Sequence, residues 1–157
     1  MGMYTRALAY ILSHGADGLR QVSGDAVLNA NYVLRSLDDV LDAPFGASGP
    51  CMHEALFSDD GFAEGFSTND LAKGLIDEGY HPMTVYFPLV VHGAMLVEPT
   101  ETESKAGIDQ FVGAMRSLAE RARAGDELLK SAPHLAPRRR LDETLAARKP
   151  RLVWKEG

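Results

Sequence analysis

The stretch His81–Thr102, HPMTVYFPLVVHGAMLVEPTET, decides how the chain folds. It is apolar in the middle and polar at both ends. Two β-type segments fit inside it, Val85 to Val91 and Ala94 to Glu98, with Gly93 as the turn or bulge between them. Val85, Tyr86, Phe87, Val90, Val91 and Val97 are residue types that suit a pleated, half-buried surface. Pro88 has no N–H to give to a ladder, so the first segment is an edge strand or is bulged there. The segments on either side read as helices built to cover this core.

Downstream, Thr100 and Glu103 form an S/T-x-x-E box ahead of a helix. That helix buries Ile108, Phe111, Val112, Met115, Leu118, Ala119 and Ala122, and ends near Gly125. A short helix to Lys130 follows. Pro133 and Pro137 then open an extended tail with one helical turn at Leu141 to Ala147 and an apolar end at Leu152, Val153 and Trp154. Upstream, Ser67 and Asp70 make a capping box with Asp in place of Glu, opening a helix over Asn69 to Glu78 that stops at Gly79. Cys51 to Phe57 reads as a strand, and Asp42 to Pro50 as a Gly/Pro/Ser connector.

The chain begins with a helix from Met3 to Ser13 that stops at Gly15. A second, capped by Asp17, carries Leu19, Val22, Ala26, Ala30, Val33, Leu37 and Leu41 on one face. Asn29, Asn31 and Tyr32 lie along it. The first helix is apolar and already periodic within two residues of Met1, with no cap before it. It reads as the middle of a longer pattern, a chain cut out of something larger. Helices built against a missing domain would leave an apolar face exposed and would favour self-association.

The order predicts an α+β fold: a mostly antiparallel sheet with helices on one face, preceded by a long helix. At 157 residues there is one core, not two. The organisation expected is 1–41 as helices belonging or linking to another domain, 42–130 as the α+β unit, and 131–157 as tail. A net charge of −6 gives no drive toward nucleic acid, and no apolar run approaches a membrane span. Arg138 to Arg140 reads as a solvated linker. The single cysteine, Cys51, forbids an internal disulfide and suits a reducing, cytoplasmic setting.

Chemistry is thin. His81, His92, Glu98, Glu101 and Glu103 lack metal-ligand spacing, so no metal is expected. Glu101 and Glu103 serve a helix's first turn as readily. Cys51 and His53 sit two apart on an expected strand, but no third group orients them. None of the five lysines (Lys73, Lys105, Lys130, Lys149 and Lys155) falls in a desolvated pocket of the kind a Schiff-base lysine needs. There is no glycine-rich phosphate loop before a helix.

Several runs together carry a resemblance: ALAYILSHGADGLRQVSGDAVLNANYVLRSL, HEALFSD, TNDLAKGLIDEGYHPMTVYFP, MLVEPTETESKAGIDQFVGAM and RRRLDETLAARKP. In this order, over nearly the whole chain, they resemble the C-terminal part of the P-protein. This is the decarboxylating, pyridoxal-phosphate glycine dehydrogenase of the glycine cleavage system, in the form of the second subunit of the split bacterial type. The resemblance implies the small C-terminal domain of a fold-type I pyridoxal-phosphate enzyme. Such an enzyme decarboxylates glycine and passes the aminomethyl group to the lipoyl arm of the H-protein. It implies a Schiff-base lysine in a His-Lys motif upstream of Met1, so no catalytic lysine and no bound cofactor are expected in this chain alone. The small domain would line one wall of the cofactor cleft, with His81, Thr84, Glu98, Thr100 and Glu101 as candidates. Each has a plain alternative as loop or cap structure. A carboxylate-binding arginine has no clear match between Arg35 and Arg116. The rival reading is a stand-alone α+β interaction or assembly module.

Overall fold

Ala30, Val33, Leu34 and Leu37 step along one face of α1 (Gly2–Leu37) and are all buried, which seats the second half of this helix on the core. In the computed structural model, which describes residues 1–154, α1 is one long helix with a break at Gly15, whose φ is +63°. The expected boundary is therefore a kink between two helical stretches. Before it, Met3, Tyr4, Leu8, Ile11 and Leu12 are exposed. The helix ends at Leu37 rather than Leu41. Amides of Val40 and Leu41 turn back to the carbonyl of Leu37 at 3.0 and 2.8 Å, and both side chains stay buried.

Three short strands follow: β1 (Ala55–Phe57), β2 (Thr84–Val85) and β3 (Met95–Val97), antiparallel in the order β1-β3-β2. The register pairs Ala55 with Val97, Phe57 with Met95, and Thr84 with Leu96. Alternation puts Ala55, Phe57, Met95 and Val97 on the buried face. Packed around the sheet are α1, α2 (Thr68–Asp77), α3 (Lys105–Ala124) and α4 (Glu127–Lys130). The molecule is thus α+β, with a long N-terminal helix and a small antiparallel sheet. Among the described residues no helix is long and apolar enough to cross a membrane.

Two expected strands are much shorter than their composition suggests. The amide of Tyr86 makes a last ladder bond to the carbonyl of Ala94 at 2.7 Å. Tyr86 itself has a φ of +61°, rare for a residue with a side chain, and Pro88 cannot donate. The chain leaves the sheet there, and Phe87, Leu89 and Val90 are exposed rather than half-buried. Ahead of β1, both backbone groups of Cys51 are taken by the side chain of Asn31, N–H to Oδ1 at 2.9 Å and Nδ2 to the carbonyl at 2.7 Å. That backbone is not available to a neighbouring strand, so β1 starts at Ala55.

The helix caps divide likewise. Asp70 Oδ2 accepts from the amide of Ser67 at 2.8 Å, as the box requires. Thr100 does not cap α3. Its carbonyl closes a turn with the amide of Glu103, and Ser104 is the cap, accepting from Gly107 N at 3.1 Å.

The tail returns along α2. Asp77, in the last turn of α2, accepts the amides of His134 and Leu135 at 2.7 Å each. Arg140 reaches the buried Asp70 at 2.7 Å and the carbonyl of Ala132 at 3.1 Å. Arg138–Arg140 is thus not simply a solvated linker: its last arginine is an anchor. The helical turn expected near Leu141 is α5 (Glu143–Arg148), which is exposed throughout, and Lys73 meets its Glu143 at 2.9 Å.

Asp77 gives this return a pH dependence. Desolvation pushes its carboxyl up, but the amides of Leu135 and His134 outweigh it and hold the carboxyl below its ordinary value. A group depressed on folding stabilises above its unfolded pKa of about 3.9, and that stabilisation is lost as pH falls through the folded value. Asp77→Asn is therefore expected to lower the urea midpoint clearly at pH 7 and much less near pH 3. Equal losses at both pH values would show that the carboxylate charge is not what holds the tail.

Candidate functional site

The loop from α2 to β2, the end of β3 and the start of α3 enclose a cleft of about 400 Å³. Val33, Ile108 and Phe111 give it an apolar lining. Tyr80 packs edge-on against Phe111, with ring centroids 5.4 Å apart. His81, Thr84 and Glu98 are among its lining residues, so three of the five sequence candidates share one space.

Thr100 and Glu101 lie round a corner. They line a second cleft, about 370 Å³, between α1 (Val22, Ala26, Val27), the loop Met52–His53 and the segment Glu98–Glu101. Glu98 borders both clefts. The hydroxyl of Tyr10, on the exposed half of α1, donates to Glu101 Oε1 at 2.8 Å. That bond is the main cause holding the Glu101 carboxyl below its usual range, and it raises the Tyr10 phenol.

In the sequence His53 stands out only beside Cys51. Burial pushes the Cys51 thiol up, the wrong direction for a nucleophile. His53 instead faces Glu98, with Nε2 3.9 Å from Oε1. The pairing of Ala55 with Val97 explains this, since it brings the residues before β1 beside those after β3. His53, Glu54 and Glu98 each offer one ligand atom within 4.8 Å of the others. The group is largely exposed, and among the described residues no buried orienting partner marks it as an ion site. His81, His92, Glu101 and Glu103 do not join it.

Neither Arg35 nor Arg116, the arginines set against a substrate carboxylate, lines either of these two clefts. Arg116 binds Asp39 at 2.7 and 2.8 Å and the carbonyl of Ser36. Arg35 goes to the carbonyl of Gly46 at 3.1 Å and to Asp38.

Among the described residues the lysines do not fit an anchored aldehyde cofactor. Lys73, Lys105 and Lys130 are paired to Glu143, Asp109 and Glu127 at 2.9, 2.7 and 2.9 Å. The hydrogen bonds that the Lys105 ammonium donates to Asp109 and Tyr32 raise its pKa, whereas a Schiff-base lysine needs a lowered value. Lys149 is exposed, and Lys155 lies outside the described residues. Among the described residues no lysine lines either cleft.

Fold and site together define an α+β domain whose clefts are walled by His, Thr and Glu, with no lysine on either of them among the described residues. The model of the family "Glycine dehydrogenase, C-terminal domain" matches residues 22–134. The "Probable glycine dehydrogenase (decarboxylating) subunit 2" of Caulobacter vibrioides is 67% identical over 99% of the chain and 30% of its own length. Its namesakes in Shouchella clausii and Oceanobacillus iheyensis are 51% and 47% identical, each over 98% of the chain and 31% of their own length. The chain belongs to the glycine dehydrogenase C-terminal domain family, and it spans about 30% of the length of these relatives.

Proposed function

We propose that the chain is the C-terminal domain of the pyridoxal-phosphate glycine decarboxylase of the glycine cleavage system and acts as one wall of its cleft. The observation that carries this is 67% identity to a glycine dehydrogenase subunit across 99% of the chain. Residues 42–130 are the wall domain, 1–41 connect it to the rest of the enzyme, and 131–157 are its tail. The cofactor and its lysine belong to the remaining P-protein domain or subunit, in the cytoplasm, and the lipoyl arm of the H-protein is the acceptor.

What this chain's own residues do can be argued from their chemistry. In the first cleft His81 donates a hydrogen bond to an anionic group and Thr84 adds a hydroxyl, while Thr100 offers a hydroxyl in the second. Glu98 and Glu101 favour an ammonium and repel a carboxylate, so glycine would enter with its amino end toward them. The apolar lining by Val33, Ile108 and Phe111 favours the apolar part of a bound group.

The test is reduction with borohydride in the presence of pyridoxal phosphate, followed by intact mass. The chain alone is expected to take no stoichiometric adduct. The enzyme assembled from both parts is expected to take one, on a lysine outside this chain, and to release carbon dioxide from glycine. A single stoichiometric adduct on a lysine of this chain would overturn the reading. The second reading, a free-standing assembly module, is favoured by the exposed Met3, Tyr4, Leu8, Ile11 and Leu12 of α1. It requires concentration-dependent self-association together with no gain of activity when the other part is added.

A further inference from the structure

The run Asn29–Tyr32 in the middle of α1 reaches three separate segments from a single helical turn. Asn29 donates from Nδ2 to the carbonyl of Thr100 at 2.9 Å and, more weakly, to that of Glu103 at 3.5 Å. Asn31 takes both backbone groups of Cys51, as described above. The hydroxyl of Tyr32 donates to Asp109 on α3 at 2.6 Å. The first two contacts fall on the two loop segments that, with α1, line the second cleft. Thr100 belongs to the segment that carries Glu98 and Glu101, and Cys51 directly precedes Met52 and His53.

Both walls are irregular backbone. Past Val97 and before Ala55 there is no ladder to fix them. Such segments take whatever spacing their side-chain partners impose. Here the partners are two short amides, two residues apart on a rigid helix whose next turn, Ala30 to Leu34, is anchored in the core.

We infer that Asn29 is a positioning residue. It holds the Glu98–Glu101 wall through the carbonyl of Thr100, while Asn31 holds the Met52–His53 wall through Cys51, so that one turn of α1 sets how both segments stand around the second cleft. Asn29 is not placed to touch substrate. It acts through Glu98 and Glu101, and its effect on turnover rests on the proposed function of those residues.

Two variants separate positioning from folding. Asn29→Ala removes the donor and favours the helix, so the melting temperature of the enzyme is expected to hold. Asn29→Asp keeps the shape, but an ionised carboxylate cannot donate to a carbonyl. The first readout is hydrogen exchange in the assembled enzyme. The amide of Glu103, which closes its turn on the carbonyl of Thr100, is expected to exchange roughly fivefold faster or more in both variants, with α2 unchanged. The second is kinetic. The kcat for glycine is expected to fall by about tenfold to a hundredfold, with little change in KM and with the lysine-bound cofactor at its wild-type level.

Unchanged exchange at Glu103 would overturn the inference. So would a fall in kcat that only follows the folded fraction. Should the wild-type assembly fail to turn over glycine, the proposed function falls, and exchange at Glu103 alone decides whether Asn29 positions the wall.

Discussion

Phe57→Ala is expected to cost about 3–5 kcal/mol, the largest loss from any single truncation in this core. Phe57 is wholly buried on β1, opposite Met95 of the central strand. Its cluster joins α1 through Leu37, the following turn through Leu41, α2 through Leu71 and α3 through Met115. Removing the ring opens a void in the close-packed core that these elements share. Total stabilities of about 5–15 kcal/mol leave such a variant near the edge of folding. Phe87→Ala is the internal control. That ring is 57% exposed beyond the end of β2, and its removal is expected to change stability by less than about 0.5 kcal/mol. Urea denaturation of both variants checks the pair. A loss below about 1 kcal/mol for Phe57 would mean that β1 is not the hub of the core.

The contrast between these two phenylalanines shows what the sequence could reveal. Helical periodicity was readable because it is local. Ile108, Met115, Leu118, Ala119 and Ala122 all face inward as their spacing requires, and Gly125 ends α3 in the left-handed conformation. The box at Ser67 and Asp70 was equally readable. The run Val85–Val91 was not, because β-type composition only says that a segment suits a sheet. Whether it joins one depends on a positive φ at Tyr86 and on the missing donor of Pro88.

The same limit governs the clefts. His81, Thr84, Glu98, Thr100 and Glu101 were chosen from one continuous stretch. Whether two of them share a space depends on how β3 turns into the Pro99–Thr100 corner, and that put Glu98 between two clefts rather than in one. His53 was invisible as a neighbour of Glu98 because their proximity rests on cross-strand register, a non-local fact. Arg140 was misread for the same reason, since its partner Asp70 lies seventy residues away. The proposed function was legible only through the resemblance. No constellation of side chains in this chain would have suggested glycine without it.

Gly93→Ala is expected to cost about 2–4 kcal/mol, through two separable causes. The first is conformational: Gly93 has a φ of +57°, where a Cβ costs about 1–2 kcal/mol. The second is steric: a Cβ at this position would fall inside the carboxyl group of Asp59. Asp59 cannot simply swing away. Its side chain is only 9% exposed, and its two oxygens face Thr68 N at 3.4 Å and His92 Nδ1 at 3.1 Å. The carbonyl of Gly93 also receives the buried hydroxyl of Thr68. The entry to β3 and the first turn of α2 are thus locked together around this glycine, and the variant forces them apart. A double-mutant cycle with Asp59→Ala separates the causes. With the carboxyl gone, Gly93→Ala is expected to retain only its conformational cost, leaving a coupling of about 1–2 kcal/mol between the two sites. Zero coupling would mean that the Asp59 carboxyl finds another rotamer at no cost, and that the contact of β3 with α2 does not depend on how closely Gly93 approaches it.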